Sequence, residues 1–163
     1  MLDNLNAKFD HLGQLKFLTI AAILSFLCDV LNIVYMLVSY LPVSINNQML
    51  QTAMTSQGIQ LARLSINEIN EIRQVFIQTF GVIFVVVLVI HAGIYFLLAR
   101  NQYWAKNYVA GYSLLGAIMT IFILPSMVVQ LGHVIWAIVM FATTFIYLFV
   151  YLGLRHFKKQ TMT

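Results

Sequence analysis

Two ionisable residues stand where the chain is otherwise apolar. Asp29 lies inside the run from Leu15 to Leu41, where Lys16 is the only other charged residue. His91 lies inside a second apolar run, from about Val75 to Leu98. A carboxylate at mid-bilayer costs about 2.5 to 3.5 kcal/mol on insertion scales, so Asp29 is expected to face protein or water and to have a partner. His91 is the best candidate. Counted from the same membrane edge, Asp29 is 13 residues past Lys16 (29 − 16) and His91 is 9 before Arg100 (100 − 91). At 1.5 Å per residue these depths are about 20 Å and about 14 Å, close enough for tilt and side-chain reach to join them. Such a pair could bind a proton or cation, or it could be a polar clamp between helices. In a third reading, a protonated Asp29 bonds Asn32 or nearby backbone. Helical spacing puts Leu18, Ala22, Ser25, Asp29, Asn32, Met36 and Ser39 on one face, which gathers most of the run's small and polar residues and should point inward.

The other candidates carry weaker signals. His133, Trp136, Met140, Thr144, Tyr147 and Tyr151 share a face of the last apolar run. They could line a lipid or ligand groove, although such an aromatic stripe is usually packing, with its hydroxyls bonded to neighbours. A haem between His91 and His133 is disfavoured by their unequal depths. Gly111, Ser113, Gly116, Ala117 and Thr120 would let the third run approach another helix closely. Arg63, Glu68, Glu71 and Arg73 fall in a polar segment and could dock a partner.

No catalytic residue, metal site or cofactor is expected. The five acids are scattered, with Asp3 and Asp10 near the start and Glu68 and Glu71 in the polar segment, so no metal-binding cluster forms. There is no glycine-rich phosphate loop or nucleophile elbow. The single cysteine, Cys28, excludes an internal disulfide and a paired-cysteine redox motif. The net charge is +4, but the basic residues are split among segments that flank apolar runs, so nucleic acid is not an expected partner.

The elements that must position these residues follow from hydropathy. With 61% hydrophobic and 9% charged residues and a mean hydropathy of +0.88, the chain lies far outside soluble usage. Crossing a bilayer takes about 20 apolar residues, and four such spans fit, at about 15–41, 75–98, 107–124 and 133–154. Residues 1–13 carry Leu2, Leu5, Phe9 and Leu12 at helical spacing, and predict an amphipathic helix on the membrane surface with Asp3 as its cap. The first run is too long for a cleaved signal and reads as an uncleaved anchor. Residues 42–73 form the sizeable segment outside the membrane, with a break at Ser56–Gly58. Within it, Ser65 and Glu68 make a capping-box pattern that predicts one helix from about Ser65 to Leu98, about 50 Å long and projecting beyond the membrane. Tyr103 and Trp104 suit an interfacial aromatic belt, and Pro125 is expected to stop the third span.

Lys8, Lys16, Arg100, Lys106, Arg155, Lys158 and Lys159 fall on one side of this topology, against Arg63 and Arg73 on the other. The bias puts both termini in the cytoplasm. The expected fold is all-α, a single antiparallel four-helix transmembrane bundle in a bacterial cytoplasmic (inner) membrane. The expected function is a non-catalytic membrane subunit or assembly factor, partnered by the bilayer and by another membrane protein or copies of itself. The alternatives are a homo-oligomeric channel or small transporter using Asp29, and a membrane enzyme or lipid-handling protein.

Overall fold

The structure is a computed structural model that describes residues 2–55, 65–129 and 134–160, and no strand occurs among them. The expected break at Ser56–Gly58, Arg63 and His133 lie outside the described residues, as does the side chain of Asp3.

Helices α1 (Leu2–Leu12) and α2 (Gln14–Tyr35) are separated by Gly13 alone, at φ 77°. The Gly13 N–H donates to the Phe9 carbonyl at 3.1 Å, and the Gly13 carbonyl accepts from Phe17 N–H at 3.0 Å. A residue with a β-carbon would be strained in this left-handed conformation. Past Tyr35 the chain makes a π-helical turn, Met36–Tyr40, and then α3, Leu41–Ser44. The first span was expected to end before Pro42, yet the helix continues through it. Pro42 falls in the first turn of α3, where its missing N–H is tolerated, and the turn before it is widened, with Leu41 N–H donating to the Met36 carbonyl five residues back.

Helix α4, Asn47–Thr55, starts with Asn46 Oδ1 accepting from Met49 N–H at 2.9 Å. Helix α5, Ile66–Ala99, starts at a closed capping box. Ser65 donates from its N–H and its Oγ to Glu68 Oε2, each at 2.7 Å, and accepts from Glu68 N–H at 3.3 Å. These bonds hold the Glu68 carboxyl below the usual carboxylate range.

The α5–α6 turn closes on Asn101 at φ 64°, with Asn101 N–H bonded to Leu98 O and Gln102 N–H to Leu97 O. This is a Schellman stop, with asparagine where glycine is commonest. Helix α6, Tyr103–Val129, takes Tyr103 and Trp104 into its first turn rather than leaving them in the loop. It also runs past Pro125 instead of stopping there. A proline removes one N–H, and the helix persists through it with that one bond missing. Helix α7, Val134–Gln160, carries Arg155, His156 and Lys158 in its final turns.

Four stretches are long and apolar enough to cross a membrane: Gln14–Ser44, Ile66–Ala99, Tyr103–Pro125 and Val134–Lys158. Their outward side chains include Val82, Val85, Val86, Val89, Ile118, Phe122, Ile135 and Ile138, all exposed. Such a surface requires lipid, so the chain is an integral membrane protein.

By internal contacts the chain divides into two compact units, residues 1–31 with 88–163, and residues 32–87. The larger unit has a core of Phe9, Phe17, Leu18, Leu98, Val109, Val150, Leu154 and Phe157. Phe17 lies 5.3 Å from the Phe9 ring and 5.4 Å from Phe157 between centroids. Phe9 is thus covered by protein, and His156 Nε2 meets Asp10 Oδ1 at 2.8 Å. Helix α1 therefore docks on α7 through Phe9, because the phenylalanine cluster offers that residue a protein seat. At the same end Gln14 Nε2 donates to Asn101 Oδ1 at 3.2 Å, and Lys158 Nζ to Asn107 Oδ1 at 3.0 Å. The smaller unit packs Leu41, Ile45 and Leu50 against Ile69, Ile72, Phe76 and Phe80.

Candidate functional site

In the larger unit, helix α2 carries Asp29 into a setting that is 4% exposed. Helix α5 supplies His91 and, one turn on, Tyr95; α6 supplies Tyr112; α7 supplies Tyr147. His91 Nδ1 lies 2.7 Å from Asp29 Oδ2, and the Tyr95 hydroxyl donates to the same oxygen at 2.6 Å. Tyr112 and Tyr147 donate to Oδ1 at 2.8 and 3.2 Å. Two carboxylate oxygens offer about four lone-pair sites, and four donors from three other helices occupy them.

The network continues outward. His91 Nε2 lies 3.0 Å from the hydroxyl of Tyr108, whose side chain is 41% exposed. Both ring nitrogens of His91 are thus engaged, Nδ1 by Asp29 and Nε2 by the Tyr108 hydroxyl. The Tyr112 ring meets His91 edge-on at 4.7 Å between centroids, and Tyr108 and Tyr112 stack at an interplanar angle of 6°. Cys28 and Ala117 pack on Tyr147, and Gly116 lets that ring lie against α6, since a β-carbon there would be 3.0 Å from it.

The remaining candidates are dispersed. On the Asp29 face of the first span, Ser25 and Ser39 are buried and Asn32 is half-buried. Ser25 Oγ, like Ser113 Oγ on α6, is buried with no hydrogen-bond partner among the described residues. On α7, Thr144 Oγ1 is 2.8 Å from Thr120 Oγ1 and donates to the Met140 carbonyl, so these hydroxyls join α6 to α7. Trp136 and Tyr151 are half-buried, and Tyr151 OH accepts from Arg155 at 3.4 Å. The aromatic face therefore turns inward at Tyr147 and outward at Tyr151. Of the docking candidates, Glu71 is exposed, Glu68 serves its helix cap, and Arg73 donates from Nε to the Ile45 carbonyl at 3.1 Å. Among the described residues no three His, Cys, Asp or Glu side chains gather as a metal site would require.

Sequence reasoning missed Tyr95, Tyr108 and Tyr112. A signal existed: Tyr95 is one turn after His91, and Tyr108 and Tyr112 are one turn apart on the next helix, so each pair shares a face. Interfacial tyrosines are so common near membrane ends that the pattern did not stand out.

Comparison with protein-family models, with curated proteins and with solved structures finds no match.

Proposed function

We propose that this chain is a non-catalytic integral subunit or assembly factor of a larger membrane complex. The observation that carries the reading is the saturation of Asp29. An acid that moves ions or protons needs lone pairs open to water or solute, whereas this one is enclosed by four protein donors. A fully satisfied polar network rigidifies and specifies a helix arrangement, so Asp29 acts as a clamp among α2, α5, α6 and α7. Glu71 and the rest of the outer segment are then the surface offered to a partner.

The same reading takes the helices as an antiparallel bundle with both termini cytoplasmic, in a bacterial cytoplasmic membrane. The Lys/Arg bias supports it. So do the Gln14–Asn101 and Lys158–Asn107 bonds, which join helix starts to the ends of neighbouring helices.

A second reading, a homo-oligomeric channel or small transporter, is favoured by one observation. The chain Asp29–His91–Tyr108 links a buried carboxylate to a tyrosine that is 41% exposed. Native mass measurement of the protein, gently extracted from its own membrane, separates the two. A different chain at fixed stoichiometry is the expected result. Copies of this chain alone in a closed ring, with liposome ion flux abolished by Asp29→Asn, would overturn the subunit reading.

A further inference from the structure

Two buried hydroxyls take no part in the Asp29 network. Ser25 on α2 and Ser113 on α6 are both 0% exposed, and neither Oγ has a hydrogen-bond partner among the described residues. A helical hydroxyl has an easy remedy, which is to donate to the carbonyl one turn back. The same two helices show it. Thr19 Oγ1 donates to the Leu15 carbonyl at 3.1 Å on α2, and Thr120 Oγ1 to the Gly116 carbonyl at 2.9 Å on α6. Ser25 and Ser113 make no such bond. Inside a span, where lipid offers no substitute, an unanswered hydroxyl is costly.

The two hydroxyls share a layer of the larger unit. On α2, Ser25 stands between Ala21 and Ala22, which belong to the core with Val109 and Val150, and Cys28, which packs with Ala117 and Tyr147. On α6, Ser113 stands one turn after Val109 and one turn before Ala117, so the same two clusters bracket it. The layer is thus closed at both ends by apolar side chains. It adjoins the carboxylate site: Asp29 is one turn past Ser25, and Tyr112, which donates to Asp29 Oδ1, directly precedes Ser113.

We propose that Ser25 and Ser113 hold one internal water between α2 and α6. Two neutral hydroxyls suit a neutral ligand, and the full enclosure of both limits it to about the size of one water. A water donates and accepts, so it answers both hydroxyls at once, and internal waters take about 2 to 4 polar partners. The Tyr112 hydroxyl oxygen keeps a lone pair after donating to Asp29, which offers the water a further partner. The water then joins α2 to α6 one turn from the carboxylate and makes the polar joint between these helices two layers deep. The proposal stands apart from the subunit reading, since it concerns only how the helices are joined.

The test is a structure of the full chain in lipid nanodiscs at a resolution that shows ordered water, paired with thermal midpoints of serine variants. Density is expected within hydrogen-bond distance of both Oγ atoms. Ser25→Ala and Ser113→Ala should each lower the midpoint by about 3 °C, because one hydroxyl and the water stay behind with a bond missing. The double variant should lower it by no more than either single change, since no hydroxyl is left to hold or need the water. Thr79 is exposed and bonds the Val75 carbonyl, so Thr79→Ala combined with Ser25→Ala should give additive effects. Additive losses in the Ser25 and Ser113 double variant would overturn the proposal. So would a direct bond between the two hydroxyls, or Ser25 Oγ on the Ala21 carbonyl and Ser113 Oγ on the Val109 carbonyl with no density between them.

Discussion

Asp29 and His91, 62 positions apart in the chain, meet through Oδ2 and Nδ1 at 2.7 Å in a setting where neither side chain is more than 9% exposed. Removing one partner leaves the other's polar group buried and unanswered. Asp29→Asn or His91→Gln should each destabilise by about 3 to 5 kcal/mol. The double variant should cost less than their sum by about 0.5 to 3 kcal/mol, because the second change no longer breaks an intact bond. Denaturant titration in detergent micelles measures this, and strictly additive losses would refute the contact.

The three tyrosine donors should rank by bond length. Tyr95→Phe removes a bond of 2.6 Å, Tyr112→Phe one of 2.8 Å and Tyr147→Phe one of 3.2 Å. Hydrogen bonds to charged groups contribute about 1.5 to 3 kcal/mol, with Tyr95 expected at the top and Tyr147 at the bottom. The same titration reads the order, and a loss at Tyr147 larger than at Tyr95 would contradict it.

Gly153 is where α7 comes against Phe17 of α2. A β-carbon at 153 would fall on the Phe17 ring, far inside contact distance. Phe17 is 0% exposed among Phe9, Phe149 and Phe157, so it has no room to withdraw. Gly153→Ala should therefore cost about 3 kcal/mol, and Phe17→Leu in the same chain should recover part of it. Gly116→Ala should cost less, because the Tyr147 ring has to move only a few tenths of an ångström. Thermal midpoints of the three variants, against the wild type, check the series.

Cys28 is 0% exposed, packed with Ala117 and Tyr147. A membrane-permeant maleimide should leave the folded protein unlabelled and label it fully after denaturation. Rapid labelling of the folded chain would mean that solvent reaches the residue next to Asp29, which would favour the channel reading.

The Ser65–Glu68 cap carries a pH signature outside the membrane. Glu68 titrates lower in the folded helix than in an open chain, because Ser65 donates two bonds to its carboxylate. The cap's contribution is complete above the open-chain value and is lost as pH falls through the lowered folded value. The Ser65 amide resonance should follow that titration by NMR, with a midpoint below the usual glutamate range. Ser65→Ala removes the side-chain donor and should move the midpoint upward; no movement would refute the hydrogen-bonded cap.

Hydropathy and local pattern alone determined the membrane class, the four apolar stretches and the start of α5. Each rests on interactions within a turn or on transfer of a whole segment into lipid. The inward face of the first span was legible at Ser25 and Asp29 for the same reason: helical spacing is local. The two prolines misled because a proline's cost depends on what surrounds it, as the widened turn before Pro42 shows. Only tertiary structure could bring Tyr95, Tyr112 and Tyr147 onto one carboxylate, or Ser25 and Ser113 into one layer. These groups lie on different helices, and the rotation and depth at which helices meet are decided by side-chain packing such as Phe17 against Gly153, which no local pattern encodes.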